Sequence, residues 1–286
     1  MKLVRFGPPG QEKPGLIDDD GNLRDLSRKV ADIDGSTLAP VALKELRQLD
    51  VRRLPLVKGR PRLGPCVAQP SKFLAIGLNF VDHAKETGSP IPENPILFYK
   101  APSSIIGAND TVMLPQDSTH GDWEVELGVV IGRTARYVDV KDALKYVAGY
   151  CVINDVSERE YQMKKSATQW SKGKGCDTFG PIGPWLVTTD EIRDPQSLDM
   201  WLDVNGERKQ TGNTRTMIFS VAEVVADTSR YMTLLPGDVI TTGTPPGVGM
   251  GIKPNPQFLK AGDVMTLGIE GLGEQKQKVI GWKKTR

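Results

Sequence analysis

Hydrophobic and polar positions alternate strictly in HGDWEVELGVVIG, residues 120–132, where Trp123, Val125 and Leu127 separate Asp122, Glu124 and Glu126. Successive side chains of a strand point to opposite faces, so the pattern predicts one β-strand with an apolar face and an acidic face. Its second half, GVVIG, is apolar throughout, as in a strand covered on both sides. From Lys72 onward other short apolar runs alternate with turn residues: FLAIGLN, PILFYKAP, TVMLPQ, YVAGYCVINDVS, GPWLVTT, LDMWLDVNGE, GDVITTG and GDVMTLGIEG. They predict a β-rich main domain over 70–286. Helical periodicity is clear in FSVAEVVADTSRYM (219–232) and weaker in ALKELRQLDV and EREYQMKKSATQW. Residues 1–65 carry the strand candidates KLVRFG and KPGLIDD and end in LPLVKGRPRLGP, punctuated by Pro and Gly, so a small leading domain and a linker are expected.

Composition narrows the function classes. The chain has 286 residues, 38% hydrophobic and 25% charged, enough for one large core or two unequal domains. Lys plus Arg number 37 against 35 for Asp plus Glu, so there is no global field to recruit nucleic acid or an anionic membrane, and neither partner is expected. MKLVRFGPPG lacks the apolar core of a signal peptide, and no apolar run approaches the roughly 18 residues needed to cross a bilayer. A cytoplasmic location is expected. Cys66, Cys151 and Cys176 are odd in number and show no CxxC spacing, which argues against a disulfide framework or a zinc site. The glycines of GVGMGIKP match GxGxG, but KPNP follows where a dinucleotide fold needs a helix.

Several residues could carry chemistry. Glu124 and Glu126, at i and i+2 of a strand, lie about 7 Å apart on one face, from which two carboxylates can lean toward one hard cation. A solvated strand face is the alternative. Asp155 follows YCVIN at a strand end, either as a third oxygen ligand or as an N-cap for a segment starting near Ser157. Three carboxylates favour Mg²⁺ or Mn²⁺ over zinc. In NFVDHAKE, His83 precedes Glu86 by three residues, so on a helical turn the carboxylate can orient the imidazole as a general base. A surface turn with incidental charges fits equally well. Lys174, between the glycines of WSKGKGCDTFGP, could hold a carboxylate or an enolate oxygen, or belong to a solvated loop. Thr244 in TTGTPPGVG sits in either an anion-binding loop or a simple turn.

Taken in order, FLAIGLNFVDHAKE, ILFYKAPSSIIG, DWEVELGVVIG, NDVSEREYQ, GKGCDTFGPIGPW and LLPGDVITTGTPPGVG resemble the fumarylacetoacetate hydrolase superfamily over roughly residues 70–285. The resemblance implies an α+β, β-dominated fold whose main domain is a mixed β-roll around a divalent metal, Mg²⁺ or Mn²⁺. It assigns metal ligation to Glu124, Glu126 and Asp155, a lid pair to His83 and Glu86, the active-site lysine to Lys174 and an anion-holding threonine to Thr244. Lys100, Ser103, Arg159 and Gln162 match positions that line the substrate cavity. Gly175-Cys176 departs from the Ser-Phe common in the family, and the additional acidic ligand and aromatic-rich leading domain of the animal enzymes have no counterpart. The leading segment resembles that of bacterial members cleaving 2,4-diketo-3-deoxy sugar acids, some acting on the L-rhamnonate or L-fuconate derivative to give pyruvate and lactate. A homodimeric, metal-dependent C–C hydrolase of a small keto acid is therefore implied. Oxaloacetate decarboxylation, ureidoglycolate cleavage and a non-enzymatic metal-binding β protein remain as rivals.

Overall fold

The computed structural model describes residues 1–284 and is dominated by two mixed sheets of ten and five strands. This is the β-dominated α+β architecture expected. From one edge the larger sheet runs Leu23–Asp25, Lys13–Ile17, Lys2–Phe6, Gly180–Thr188, Val147–Asn154, Val125–Ile131, Val239–Thr241, Phe73–Gly77 and Ile96–Lys100, with Ile105–Gly107 added beside Gly180–Thr188. The five-stranded sheet runs Glu207–Asn213, Asp199–Val204, Val264–Ile269, Gly273–Ile280 and Val112–Met113. The leading residues join the larger sheet directly, through the antiparallel pairing of Leu3 with Leu186.

Val125–Ile131 is buried at every position, as its apolar second half predicts. It pairs antiparallel with Val147–Asn154 on one side and Val239–Thr241 on the other. Alternation splits its side chains between two cores. Val125, Leu127, Val129 and Ile131 belong to a cluster with Met200, Leu202, Met265 and Leu267 of the smaller sheet. Val130, on the opposite face, shares a cluster with Leu3, Leu16, Leu38 and Ile153. Gly128 lies between Glu126 and Val130 on that face, and a Cβ there would come within 2.6 Å of Ile153 Cδ1 and 2.7 Å of Cys151 Sγ. A side chain at 128 would part the two central strands.

The single strand expected over 120–132 is broken. Gly121–Asp122 pairs with Ser157–Glu158 in a separate two-stranded sheet, and the main strand begins only at Val125. Asp122 is the cause. Its carboxylate accepts from the backbone of Gly249 at 2.7 Å and Met250 at 3.1 Å and from Arg159 Nε at 2.7 Å, which draws it off the face of Glu124 and Glu126.

The helices are α1 (Pro40–Arg47), α2 (Val81–Thr87), α3 (Arg159–Met163), α4 (Ser171–Lys174) and α5 (Val221–Tyr231). The periodicity of 219–232 becomes α5, opened by a Ser220–Glu223 capping box, with Val221, Val224 and Val225 buried. The weaker pattern in EREYQMKKSATQW yields only α3. Ala167 and Thr168 adopt φ of 46° and 72°, left-handed conformations that prevent the helix from continuing. Among the described residues no helix is long and apolar enough to cross a membrane.

Candidate active site

Glu124 and Glu126 reach into a cavity of about 230 Å³ that Asp155, His83, Arg159, Gln162, Lys174 and Thr244 also line. Glu126 projects from the first turn of the pleat in Val125–Ile131, Glu124 stands just before that strand, and Asp155 just after Val147–Asn154. Antiparallel pairing sets Glu126 opposite Ile153 and Val125 opposite Asn154, so the three carboxylates converge at one end of the two central strands. Each offers an oxygen within 4.8 Å of the others. Glu124 is 5%, Glu126 2% and Asp155 1% exposed, so the solvated-face alternative does not hold. Nor is Asp155 an N-cap, because Ser157–Glu158 is strand and Glu158 caps α3.

The charges around the trio are arranged unevenly. Lys174 Nζ bridges Glu124 Oε2 at 2.5 Å and Asp155 Oδ2 at 2.6 Å, and Arg159 lies 2.7 Å from Glu124 Oε1. Burial alone would raise the Glu124 carboxyl, but Lys174 and Arg159 outweigh it and hold Glu124 below the ordinary carboxylate range. Glu126 has no such cation. Its Oε2 accepts from Thr241 Oγ1 at 2.5 Å and Gly243 N at 2.8 Å, and burial together with the charges of Asp155 and Glu124 pushes it well above its usual value. Burial disfavours the Lys174 ammonium, yet Asp155 and Glu124 keep it above the usual lysine value. It is a fixed charge, not a solvated loop residue.

At the other wall α2 carries His83, whose Nδ1 lies 2.9 Å from Glu86 Oε2. With Nδ1 engaged, Nε2 is the nitrogen left to exchange a proton. Glu86 is held in turn: its Oε1 accepts from Gly247 N at 2.8 Å. Gly247 has φ of 103°, and a Cβ there would come 1.9 Å from Lys209 O, so the glycine is required for this backbone approach.

Three expected cavity residues behave differently. Lys100 is fully buried behind the trio, where its ammonium lies 2.6 Å from Asp155 Oδ1 as an ion pair without hydrogen-bond alignment and donates to the Lys174 carbonyl. Burial lowers its pKa, opposed by Asp155. Ser103 is exposed on the short turn Pro102–Ser104 and does not border the cavity. Thr244 borders it, but its hydroxyl donates to Val125 O at 2.9 Å and accepts from Gln210 Nε2 at 2.8 Å, so it is not a free donor for an anion. Burial pushes the neighbouring Cys176 thiol up to about 11, which removes it as a nucleophile near neutrality. Asp122, Gly247 and Trp170 were not selected from sequence. The glycine spacing of 247–251 is a visible signal for the second of these, and Asp122 belongs to the acidic alternation while Trp170 heads WSKGKGCDTFGP, but neither pattern shows what the side chain meets.

The residues present fit a hard divalent cation. The donor set is all oxygen, and the raised Glu126 carboxyl, whose Oε1 accepts no hydrogen bond among the described residues, is the group an added positive charge would relieve.

A profile of the family described as Fumarylacetoacetate (FAA) hydrolase C-terminal matches residues 72–280. A Burkholderia multivorans protein whose name describes it as a hydrolase is 62% identical over 277 residues, covering 97% of this chain and 98% of its own length. The solved fumarylacetoacetate hydrolase of psychrophilic Exiguobacterium antarcticum is 35% identical with a TM-score of 0.83, over 99% of this chain and 100% of the other. The maleylpyruvate hydrolase of Sphingobium sp. SYK-6, solved with manganese(II) and pyruvate, is 27% identical with a TM-score of 0.82 over the same 99% and 100%. Since the profile spans every cavity residue described above and the relatedness extends along nearly the whole chain, this protein belongs to the fumarylacetoacetate hydrolase family.

Proposed function

We propose that this protein hydrolyses a carbon–carbon bond of a 2,4-diketo-3-deoxy sugar acid, the L-rhamnonate or L-fuconate derivative, to pyruvate and lactate. The observation that carries this reading is the meeting in one cavity of three buried carboxylates and a histidine already held by a glutamate. Asp122, Glu124, Glu126 and Asp155, with Glu86 beside His83, stand against Lys100, Arg159 and Lys174, two negative charges in excess when these groups are ionised and His83 is neutral, which a dication balances.

A divalent cation, Mg²⁺ or Mn²⁺, held by Glu124, Glu126 and Asp155 would supply Lewis-acid polarisation of the 2-oxo group. The manganese and pyruvate of the Sphingobium structure support both the cation and the product. His83, with Nδ1 turned to Glu86, takes a proton from water at Nε2, and that water adds to the C4 carbonyl. Collapse of the adduct breaks the C3–C4 bond. Its electron pair stays on C3 as the enolate of pyruvate, C4 becomes the carboxyl of lactate, and a proton then returns to C3. Lys174 is the cation positioned to meet the charge that grows on the enolate oxygen, so its contribution rises toward the transition state. The homodimer is part of the proposal, supported by exposed Tyr99 on the edge strand Ile96–Lys100 and exposed Tyr231 beside Met232, which Tyr99 contacts.

The deciding experiment offers the L-rhamnonate or L-fuconate derivative with Mg²⁺ and then with EDTA, measuring pyruvate and lactate together. Equal amounts of both, lost with EDTA, are expected. Pyruvate and CO₂ from oxaloacetate with no cleavage of the diketo acid, or glyoxylate and urea from ureidoglycolate, would sink it. Decarboxylation does not need an activated water, so a requirement for Glu86 also separates the two.

A further inference from the structure

Resting on the cation site of that reading, we infer that Gln210 is a positioning residue: with Thr244 it clamps the backbone of Val125 and so fixes the flanking carboxylates, Glu124 and Glu126, for one cation. The backbone ladder stops short of these residues. Val239–Thr241 pairs only with positions 128–130 of the central strand. Beyond Thr241, side chains take the place of a neighbouring strand: the Thr242 hydroxyl donates to Leu127 O and the Thr244 hydroxyl to Val125 O, each at 2.9 Å. The Val125 N–H donates to Gln210 Oε1 at 2.9 Å. Gln210 Nε2 donates in turn to Thr244 Oγ1 and to Pro245 O, both at 2.8 Å. The ring is closed, from Val125 N through Gln210 and Thr244 back to Val125 O. A carboxamide carries the donor and the acceptor of a peptide, so Gln210 supplies from the smaller sheet what a strand neighbour supplies elsewhere.

Gln210 is the one buried position of the edge strand Glu207–Asn213, with no exposed surface at all. A buried amide needs hydrogen-bond partners wherever it lies, and stability alone would account for that much. The identity of the residue it holds points further. Val125 stands between two cavity carboxylates on one face of the strand, so fixing its N–H and C=O fixes the directions in which Glu124 and Glu126 leave the backbone. The other flank is held as well: Glu124 N donates to Asn154 Oδ1 at 3.2 Å, and Asp155 N donates to Glu124 O at 2.9 Å. Gln210 also backs the loop behind the histidine. Pro245 lies two residues before Gly247, whose N–H holds Glu86, and a Cβ on Gly247 would come within 3.1 Å of Gln210 Cα.

Calorimetric Mg²⁺ binding to the substrate-free protein reads the clamp without turnover. Gln210→Met and Thr244→Val should each weaken binding about tenfold or more, while Thr244→Ser, which keeps the hydroxyl, should stay within about twofold of wild type. The double variant should bind no more weakly than the weaker single one, because either change opens the same ring. Val204→Ala, a truncation of a buried side chain in the adjacent strand Asp199–Val204, controls for lost stability: its melting temperature should fall with Mg²⁺ affinity unchanged. If Gln210→Met does not melt cooperatively, the contrast between Thr244→Val and Thr244→Ser decides. Wild-type affinity in a folded Gln210→Met, additive losses in the double variant, or a raised KM with unchanged Mg²⁺ affinity in Thr244→Val would overturn the inference and leave the hydrolase reading standing. Weakened Mg²⁺ binding in the clamp variants of a protein that cleaves no diketo acid would remove the hydrolase reading and support the clamp. A wild type that binds no Mg²⁺ would overturn both.

Discussion

Glu124 and Glu126 are two residues apart and shift in opposite directions, because cations face one and only neutral donors face the other. A lowered carboxyl stabilises the fold above its unfolded value and loses that effect as pH falls. A raised one does the reverse, stabilising at low pH and losing the effect as pH rises through the folded value. Above the ordinary value of 4.5, Glu124's contribution is therefore complete while Glu126's is still declining. The cation-free protein should show a thermal midpoint that falls as pH rises over that range, and saturating Mg²⁺ should cancel the fall. In Glu126→Gln the fall should flatten and calorimetric cation binding should disappear; a variant that binds Mg²⁺ as tightly as wild type would exclude Glu126 from the ligand set. His83→Ala should reduce pyruvate release by about 10² to 10⁴ while leaving cation affinity unchanged, which calorimetry and a coupled assay test together. Lys100 is fully buried and faces Asp155 Oδ1 while Lys174 holds Oδ2, so Lys100→Met, which leaves Asp155 with Lys174 alone, should lower unfolding free energy by about 1 to 3 kcal/mol in a urea titration.

At the scale of elements, α2 is attached to the rest of the site by a loop of glycines. Gly247 N holds Glu86 Oε1, and a Cβ on Gly251 would come within 2.6 Å of Glu86 Cδ. Gly251→Ala should push that carboxylate away from His83 and lower kcat about tenfold without changing cation affinity, if the loop positions the pair. Equal loss of cation affinity would show a general collapse instead. The glycine spacing was visible in GVGMGIKP, but its meaning depends on what packs behind it, and no local pattern records that Asp122 and Glu86 do. Much of the trio was legible because strand alternation and the end of YCVIN place carboxylates by geometry alone. The break at Trp123 was not, since polarity alternates in the same way whichever sheet a strand pairs with. In YKAPSS the inward Lys100 and the exposed Ser103 also look alike on paper. Only the pairing of Phe73 with Lys100 turns the lysine into the interior.

For the whole molecule, light scattering should give twice the 31.3 kDa chain mass, with Tyr99→Arg and Tyr231→Arg together shifting it toward a single chain. A single-chain mass for the wild type would exclude the homodimer. The central strand Val125–Ile131 has a further bearing on how such a protein yields to genetics. One face of it presents Glu126 to the cavity at one end and, four residues on, Val130 to the core cluster that extends across the sheet to Leu3 and Leu16 of the leading segment. A random library screened for lost activity will therefore return lesions in the first twenty residues, far from any reacting atom. Such hits would chart the strand's footing, and only variants sorted first for normal melting would chart the chemistry.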